Sequence, residues 1–229
     1  MEPELRRRAA RWAVNGTAWS LSRLACRVDD RDLARVPQCG PLLLATNHVN
    51  FMDVPLVLSH LQPRRITGFA KAETWDNPVM GTLFNIWGAI PVQRGQADVT
   101  AIRHVLQALE AGMIFAIAPE GTRSGDGCLR RAKPGIGLLA AHSGAPILPF
   151  ALYGHEGIWA NLKRMRRTDF HIRVGPLLRA RTDGRWTADK RQALADEVMR
   201  YIAVMLPPDY RGVYTGQAPG VGLLEPIAA

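Results

Sequence analysis

Cysteine is scarce in this chain, lysine is nearly as scarce, and no long apolar run goes unbroken. The three cysteines, Cys26, Cys39 and Cys128, lie scattered through 229 residues. They form no Cys-x-x-Cys pair and no zinc spacing, and an odd number argues against a disulfide framework, so a reducing, cytosolic environment is the simplest reading. The stretch from Pro134 to Gly154 lacks Asp, Glu, Lys and Arg, but Gly135, Gly137, Gly144, Pro146 and Pro149 interrupt it. It parses as helix then strand rather than as a membrane span. A clean signal peptide is missing as well: Arg6-Arg7-Arg8 resembles the basic start of one, yet Arg11 follows early and Trp12 to Ser22 holds Asn, Gly, Thr and Ser. Internal repeats and low-complexity tracts are absent.

What is present is arginine. The net charge of +9 comes from 25 Arg and four Lys against 20 acidic residues. Such a balance suits an anionic partner: nucleic acid, an acidic membrane surface or a phosphorylated substrate. The basic run Lys163-Arg164-Met165-Arg166-Arg167 lacks the interleaved aromatics that stack on bases, which speaks against nucleic acid. A hydrophobic share of 47% indicates a globular protein, long enough for one large domain but not for two full cores.

Alternating patterns predict an α/β fold, a sandwich built around a central sheet. Strands are expected at 41–46, 65–70, 113–118, 147–153 and 170–174, with Gly88–Gly95 a short strand emerging into a basic turn. Helices are expected from 54 to 61, from 75 to 87, over Asp98–Glu110 and 134–142, and from Thr187 to Leu206 with Thr187 as its N-cap. In the Asp98–Glu110 helix, Val99, Ile102, Val105, Leu106 and Leu109 share one side, and Gly112 stops it. Residues 4–28 read as one or two helices mixing Arg with Leu5, Trp12, Trp19, Leu21 and Leu24. Trp beside Arg suits an interfacial segment on an anionic bilayer, the alternative being a helix packed on its own domain. The expected organisation is an N-terminal helical, membrane-contact segment over 1–35, an α/β domain over 36–211, and a loosely ordered tail over 212–229.

His48 and Asp53 stand five apart and meet only if the chain turns between them, as it does where a strand ends and a helix begins. Asp53 can then accept from one ring nitrogen of His48 and leave the other free as a base. The alternative is that Asp53 is a helix N-cap and His48 an ordinary loop histidine. Further polar residues stand at strand ends: Arg94, Glu120 to Ser124, and the stretch ending in Pro149. Arg94 and Arg123 offer forks for bidentate phosphate binding, although Arg123 has a competing possibility in an ion pair with Glu120. The Glu120-Gly121-Thr122 turn offers backbone N–H groups, a hydroxyl and a carboxylate, which suit a polyol phosphate. Neither a nucleophile elbow nor a Walker glycine loop is visible, which favours direct transfer to a bound hydroxyl over a covalent enzyme intermediate.

These blocks resemble those of the glycerolipid acyltransferases of the lysophosphatidate acyltransferase type. The His-x4-Asp box is similar to Asn47–Asp53, the Gly-to-Arg box to Gly88–Arg94, and the Pro-Glu-Gly-Thr-Arg-Ser box to residues 119–124 in full. The apolar Pro box is similar to Ala145–Phe150, and Lys71 and Lys133 fall where the family commonly has basic residues. Asn50 stands where the family often has Ser, and Ala118 where it usually has Phe. The resemblance covers roughly residues 36–180. It implies an enzyme that moves a fatty acyl group from a coenzyme A or acyl-carrier-protein thioester to lysophosphatidate, with no metal or redox cofactor. His48 would be the general base and Asp53 its orienting partner. Arg94, Glu120, Gly121, Thr122 and Arg123 would hold the glycerol phosphate, with Asn47, Lys71, Ser124, Lys133 and Pro149 in support. It also implies a central mixed sheet flanked by helices, and a peripheral position on the cytoplasmic face of a membrane. Other acceptors (glycerol-3-phosphate, a lyso-ornithine lipid, a glycolipid) or a non-catalytic anionic-lipid binder remain as alternatives.

Overall fold

The computed structural model describes residues 2–93, 98–181, 184–220 and 222–228. Its central strand is β2 (Leu42–Thr46), in which every residue is buried. That is the pattern of a strand covered on both faces. Leu43 and Ala45 point into one core, with Phe115, Ile136, Val105 and Val198, while Leu42 and Leu44 point into a second, with Leu56, Phe150 and Phe170. Two apolar layers on opposite faces of one strand require helices on both sides.

The other strands are β1 (Cys26–Asp29), β3 (Ile66–Lys71), β4 (Ile90–Val92), β5 (Ile114–Ile117), β6 (Ile147–Tyr153), β7 (Thr168–Val174), β8 (Leu178–Ala180) and β9 (Leu224–Pro226). They join in the order β1-β7-β6-β2-β5-β3-β4, with β8 on β6 and β9 on β8. Strands β6, β2, β5, β3 and β4 run parallel, whereas β7 and β8 run antiparallel to β6. The sheet is therefore mixed, as expected. Helices α4 (Val99–Glu110), α5 (Gly135–Ser143) and α7 (Ala188–Met205) supply the first core, and α2 (Asp53–His60) and α6 (Ile158–Lys163) the second. Helices α1 (Glu2–Ala25) and α3 (Pro78–Trp87) lie beside α2, where the buried Asn15 accepts a hydrogen bond from the Trp87 indole at 2.9 Å.

Helix ends follow their local chemistry. Asp98 caps α4 by accepting from Ala101 N–H at 2.9 Å, and Thr187 caps α7 by accepting from Lys190 N–H at 3.2 Å. Gly112, with φ 71°, turns the chain from α4 into β5 in a conformation that disfavours a side chain. On α4 the buried side carries Val105 and Leu109, but Val99, in the first turn, stays 67% exposed.

Three expectations give way. Residues 26–28 are strand rather than helix: Cys26 and Val28 join β1, which pairs in parallel with β7 and so draws the N-terminal segment into the sheet. Helix α6 and strands β8 and β9 were not expected, being short and weakly patterned. The tail, expected to be loose over 212–229, is anchored among its described residues at Tyr214 and at β9. The buried Tyr214 donates its hydroxyl to Asp196 at 2.7 Å and accepts Ala132 N–H at 3.0 Å, and β9 closes on β8 with Leu224 buried.

Candidate active site

In a parallel sheet the carboxyl ends of the strands share one rim, and ligands gather there. At this rim β2 ends in Thr46 and the chain turns through residues 47–52 into α2. Asn47, buried, continues the ladder with its side chain. Its amide donates to Leu152 C=O at 2.7 Å and accepts Leu152 N–H at 2.8 Å, which pins the turn to β6. Asp53 then folds back over the turn. Its Oδ2 accepts from His48 Nδ1 at 2.6 Å, Val49 N–H at 2.7 Å and Asn50 N–H at 3.1 Å. The helix N-cap is Met52, and no side chain caps it. Asp53 therefore organises the His48 turn instead of serving as N-cap. Among the described residues nothing hydrogen-bonds His48 Nε2, and the ring keeps 18% of its side-chain surface exposed.

The loop after β5 locks onto this turn from the other side. Ser124 N–H donates to His48 C=O at 2.7 Å and Gly125 N–H to Val49 C=O at 3.0 Å. Glu120 is 2% exposed and faces inward: Oε1 accepts His48 N–H at 3.0 Å, and Oε2 accepts Arg130 N–H at 2.8 Å. Its carboxylate thus braces the two loops, not the surface where an acceptor would sit. Gly121 turns at φ 68°, and a Cβ there would come within 2.9 Å of Lys133 Cδ, so the lysine stem lies across the turn. Thr122 and Arg123 are exposed, and the Arg123 guanidinium stacks over Phe51 at 5.8 Å. Among the described residues Arg123 makes no ion pair with Glu120. Ser124 is spent on its own loop, its Oγ accepting from Gly127 N–H at 3.1 Å and its C=O from Arg130 at 2.8 Å.

Lys71 is exposed at the rim end of β3, in register with Val92, and Lys133 is exposed beside Gly121. Arg94 lies outside the described residues. Pro149 is buried in the middle of β6 opposite Ala45, away from the rim, so it shapes the sheet and brings no polar group. The rim end of β6 belongs instead to Gly154-His155, which the sequence reading passed over. His155 is fully buried, and its Nε2 lies in close hydrogen-bond contact with Asp53 Oδ1. The signal was available, since a histidine follows the apolar strand 147–153 much as His48 follows 42–46.

Burial pushes the Asp53 carboxyl up, but hydrogen bonds from His155 and His48 outweigh it, so its pKa falls below the usual 3.8. Glu120 goes the other way: burial raises it above 4.5 against the pull of the Arg130 and His48 N–H groups. An ionised Asp53 on Nδ1 leaves Nε2 of His48 as the available base. The ring also forms part of the wall of an apolar cavity of about 140 Å³, lined among others by Val57, Leu58, Phe69, Phe84, Trp87 and Ala118.

A family model described as Acyltransferase matches residues 27–153. The chain is 29% identical over 131 residues to the 1-acyl-sn-glycerol-3-phosphate acyltransferase BAT2, chloroplastic, of Brassica napus, covering 56% of this chain and 38% of that protein. It is 32% identical to the lyso-ornithine lipid O-acyltransferase of Pseudomonas aeruginosa, covering 62% of this chain and 55% of that one. The chain spans between 32% and 52% of the length of the first curated relatives it matches. The crystal structure of the 1-acyl-sn-glycerophosphate acyltransferase PlsC from Thermotoga maritima shares the fold, with a TM-score of 0.63 at 20% identity over 86% of this chain and 79% of that one.

Proposed function

The chain belongs to the Acyltransferase family, and from that premise we propose that it transfers a fatty acyl group from a thioester to the free hydroxyl of lysophosphatidate. The observation that carries this is the His48 ring, fixed through Nδ1 by Asp53 at 2.6 Å and standing at an apolar cavity. The acceptor hydroxyl loses its proton to Nε2 as its oxygen attacks the thioester carbonyl carbon. Asp53 stabilises the imidazolium that forms. The tetrahedral adduct collapses with cleavage of the C–S bond, and the departing sulfur takes the proton from Nε2. The products are an ester and a free thiol, and no step draws on a metal or redox cofactor.

The cavity is the place for the donor's acyl chain, since its lining is aliphatic and aromatic. Arg94, Arg123, Lys71 and Lys133 are the cations assigned to the acceptor phosphate, with Gly121 and Thr122 assigned to its glycerol. Both coenzyme A and an acyl carrier protein fit as donor. A lyso-ornithine acceptor is the second reading, favoured by the Pseudomonas aeruginosa relative. Purified protein given labelled palmitoyl thioesters of both kinds and a panel of lyso-acceptors tests the reading: phosphatidate formation supports it, and transfer confined to phosphate-free acceptors moves the second reading ahead. No transfer to any acceptor leaves the non-catalytic lipid binder.

We also propose that the protein lies on the cytoplasmic face of an anionic membrane. Among the described residues no helix is long and apolar enough to cross one. What supports a surface position is a groove to which α1 presents Leu21 and Leu24, and α6 with its following turn presents Leu162 and Met165, all four exposed. The basic run 163–167 adjoins them, and this apolar groove of about 590 Å³ lies between the two helices, with Arg166 and Arg167 contributing to its lining. Apolar side chains beside arginines suit insertion among anionic headgroups.

A further inference from the structure

Taking His48 as the base of the acyl transfer proposed above, we infer that His155 is a positioning residue. It holds the outer oxygen of Asp53, so that the inner oxygen stays on His48 Nδ1.

The carboxylate of Asp53 is unevenly served. Oδ2 takes the His48 ring and two backbone N–H groups, whereas Oδ1 has His155 Nε2 as its one partner among the described residues. Rotation about an aspartate's terminal torsion is soft. A buried carboxylate with one bare oxygen would turn to share its donors, and the His48 bond would lengthen. His155 prevents this, and it is itself fixed. Its backbone C=O accepts from the Asn50 amide and from Ile158 N–H, each at 3.2 Å, and its ring meets Phe170 edge-on at 4.8 Å. Asn50 in turn belongs to the His48 turn, accepting Met52 N–H at 2.8 Å. The two histidines are thus tied together through both the carboxylate and the loop.

The protonation of the second ring follows from its surroundings. His155 Nδ1 is buried with no hydrogen-bond partner among the described residues. A proton there would be an orphaned donor, so the proton sits on Nε2 and faces Asp53. A neutral donor secures the carboxylate without neutralising it, and the full charge of Asp53 remains for the imidazolium that forms at His48. The titratable groups around His155 are Asp53 in contact, His48 beyond it, and Glu156 next in the chain. The Glu156 carboxylate is turned to Gly154 N–H at 3.1 Å and the Tyr210 hydroxyl at 3.2 Å.

The test compares kcat against pH, with thermal unfolding, for the wild-type enzyme, His155→Gln and His155→Leu. Glutamine can place an N–H near the position of Nε2, and leucine cannot. For His155→Leu, kcat is expected to fall about ten- to a hundredfold with little change in either KM, the size of a positioning loss. With Oδ1 bare, Asp53 turns and its bond to His48 Nδ1 weakens, so the imidazolium is less stabilised. The acid limb of kcat should therefore move to lower pH by about half a unit to one unit. His155→Gln should restore both. A structural role alone would lower the melting temperature and leave the pH profile in place, and that result overturns the proposal. Should His155→Leu fail to fold, the ring ¹⁵N shifts of the wild-type protein decide. A neutral ring protonated at Nε2 through the pH range where activity rises supports the role, and protonation at Nδ1 or titration along the acid limb overturns it. Those shifts remain readable even if no acyl transfer is found, so failure of the underlying reaction and failure of the positioning role are distinguishable.

Discussion

Glu120 accepts the backbone N–H of His48 at 3.0 Å, so a residue of the loop after β5 sets the height of the base at the end of β2. Replacing it with glutamine should therefore affect both stability and turnover. The amide offers one acceptor oxygen for two N–H donors and sets its own NH2 against the other. A lost hydrogen bond to a charged group costs about 1.5–3 kcal/mol, or several degrees of melting temperature at this chain length. The pH dependence has a definite sign. Burial raises the Glu120 pKa, so the folded state takes up this proton first as pH falls. The associated stabilisation is full below the ordinary glutamate value and lost as pH rises through the folded one. The melting temperature of the wild-type protein relative to Glu120→Gln should thus improve from neutral pH toward about 4.5, and a gap that narrows instead would contradict this.

His48→Ala should abolish transfer in a protein that still folds and binds acceptor, since a general base contributes about 10²–10⁴-fold. Asp53→Asn should come close to this, because the amide no longer enforces the Nδ1–H tautomer. Near-wild-type turnover in either variant would reduce the pair to a loop brace.

Ala118 forms part of the cavity wall at the position where the resembling family usually carries Phe. Ala118→Phe should fill that space and shift preference to short chains. Activity with a palmitoyl thioester should drop about ten- to a hundredfold relative to an octanoyl one. An unchanged ratio would place the acyl chain elsewhere.

Arg123 is exposed and stacked on Phe51 rather than paired with Glu120, so its guanidinium is available to a phosphate. Arg123→Ala is expected to raise KM for lysophosphatidate about ten- to a hundredfold, with a smaller effect on the thioester. Arg94→Ala should do the same, and Arg94→Lys should be impaired as well, because lysine keeps the charge but not the fork. Equal losses toward phosphate-free acceptors would reassign both residues.

Removing residues 1–28 is a poor test of membrane contact, because it takes away strand β1 and the Asn15–Trp87 bond. Point variants keep the fold. Leu21→Ser with Leu24→Ser on α1, and Leu162→Ser with Met165→Ser at α6, should each weaken sedimentation with anionic liposomes by about tenfold or more. Burying one such side chain is worth about 1.5–3 kcal/mol. Binding should also fall with salt, since exposed charges are screened within about 10 Å at 0.1 M. Undiminished sedimentation of either pair would remove that element from the surface.

The sequence by itself determined whatever depends on neighbours along the chain. The buried strands 42–46 and 147–153, the caps at Asp98 and Thr187, and the blocks around His48 and Glu120 are local patterns, as is the turn that lets His48 meet Asp53. Tertiary structure decided what those residues face. Glu120 reads as a ligand to a polyol phosphate until its carboxylate is seen to close on a backbone N–H 72 residues away. His155 is marked locally only as a histidine at a strand end, and its role shows only in the fold because Asp53 lies 102 residues before it. The tail looks loose by composition and is held because β8 leaves an open ladder for β9. In each case a buried polar group or strand edge had to be satisfied, and the partner that satisfies it is adjacent in the fold and remote in the sequence.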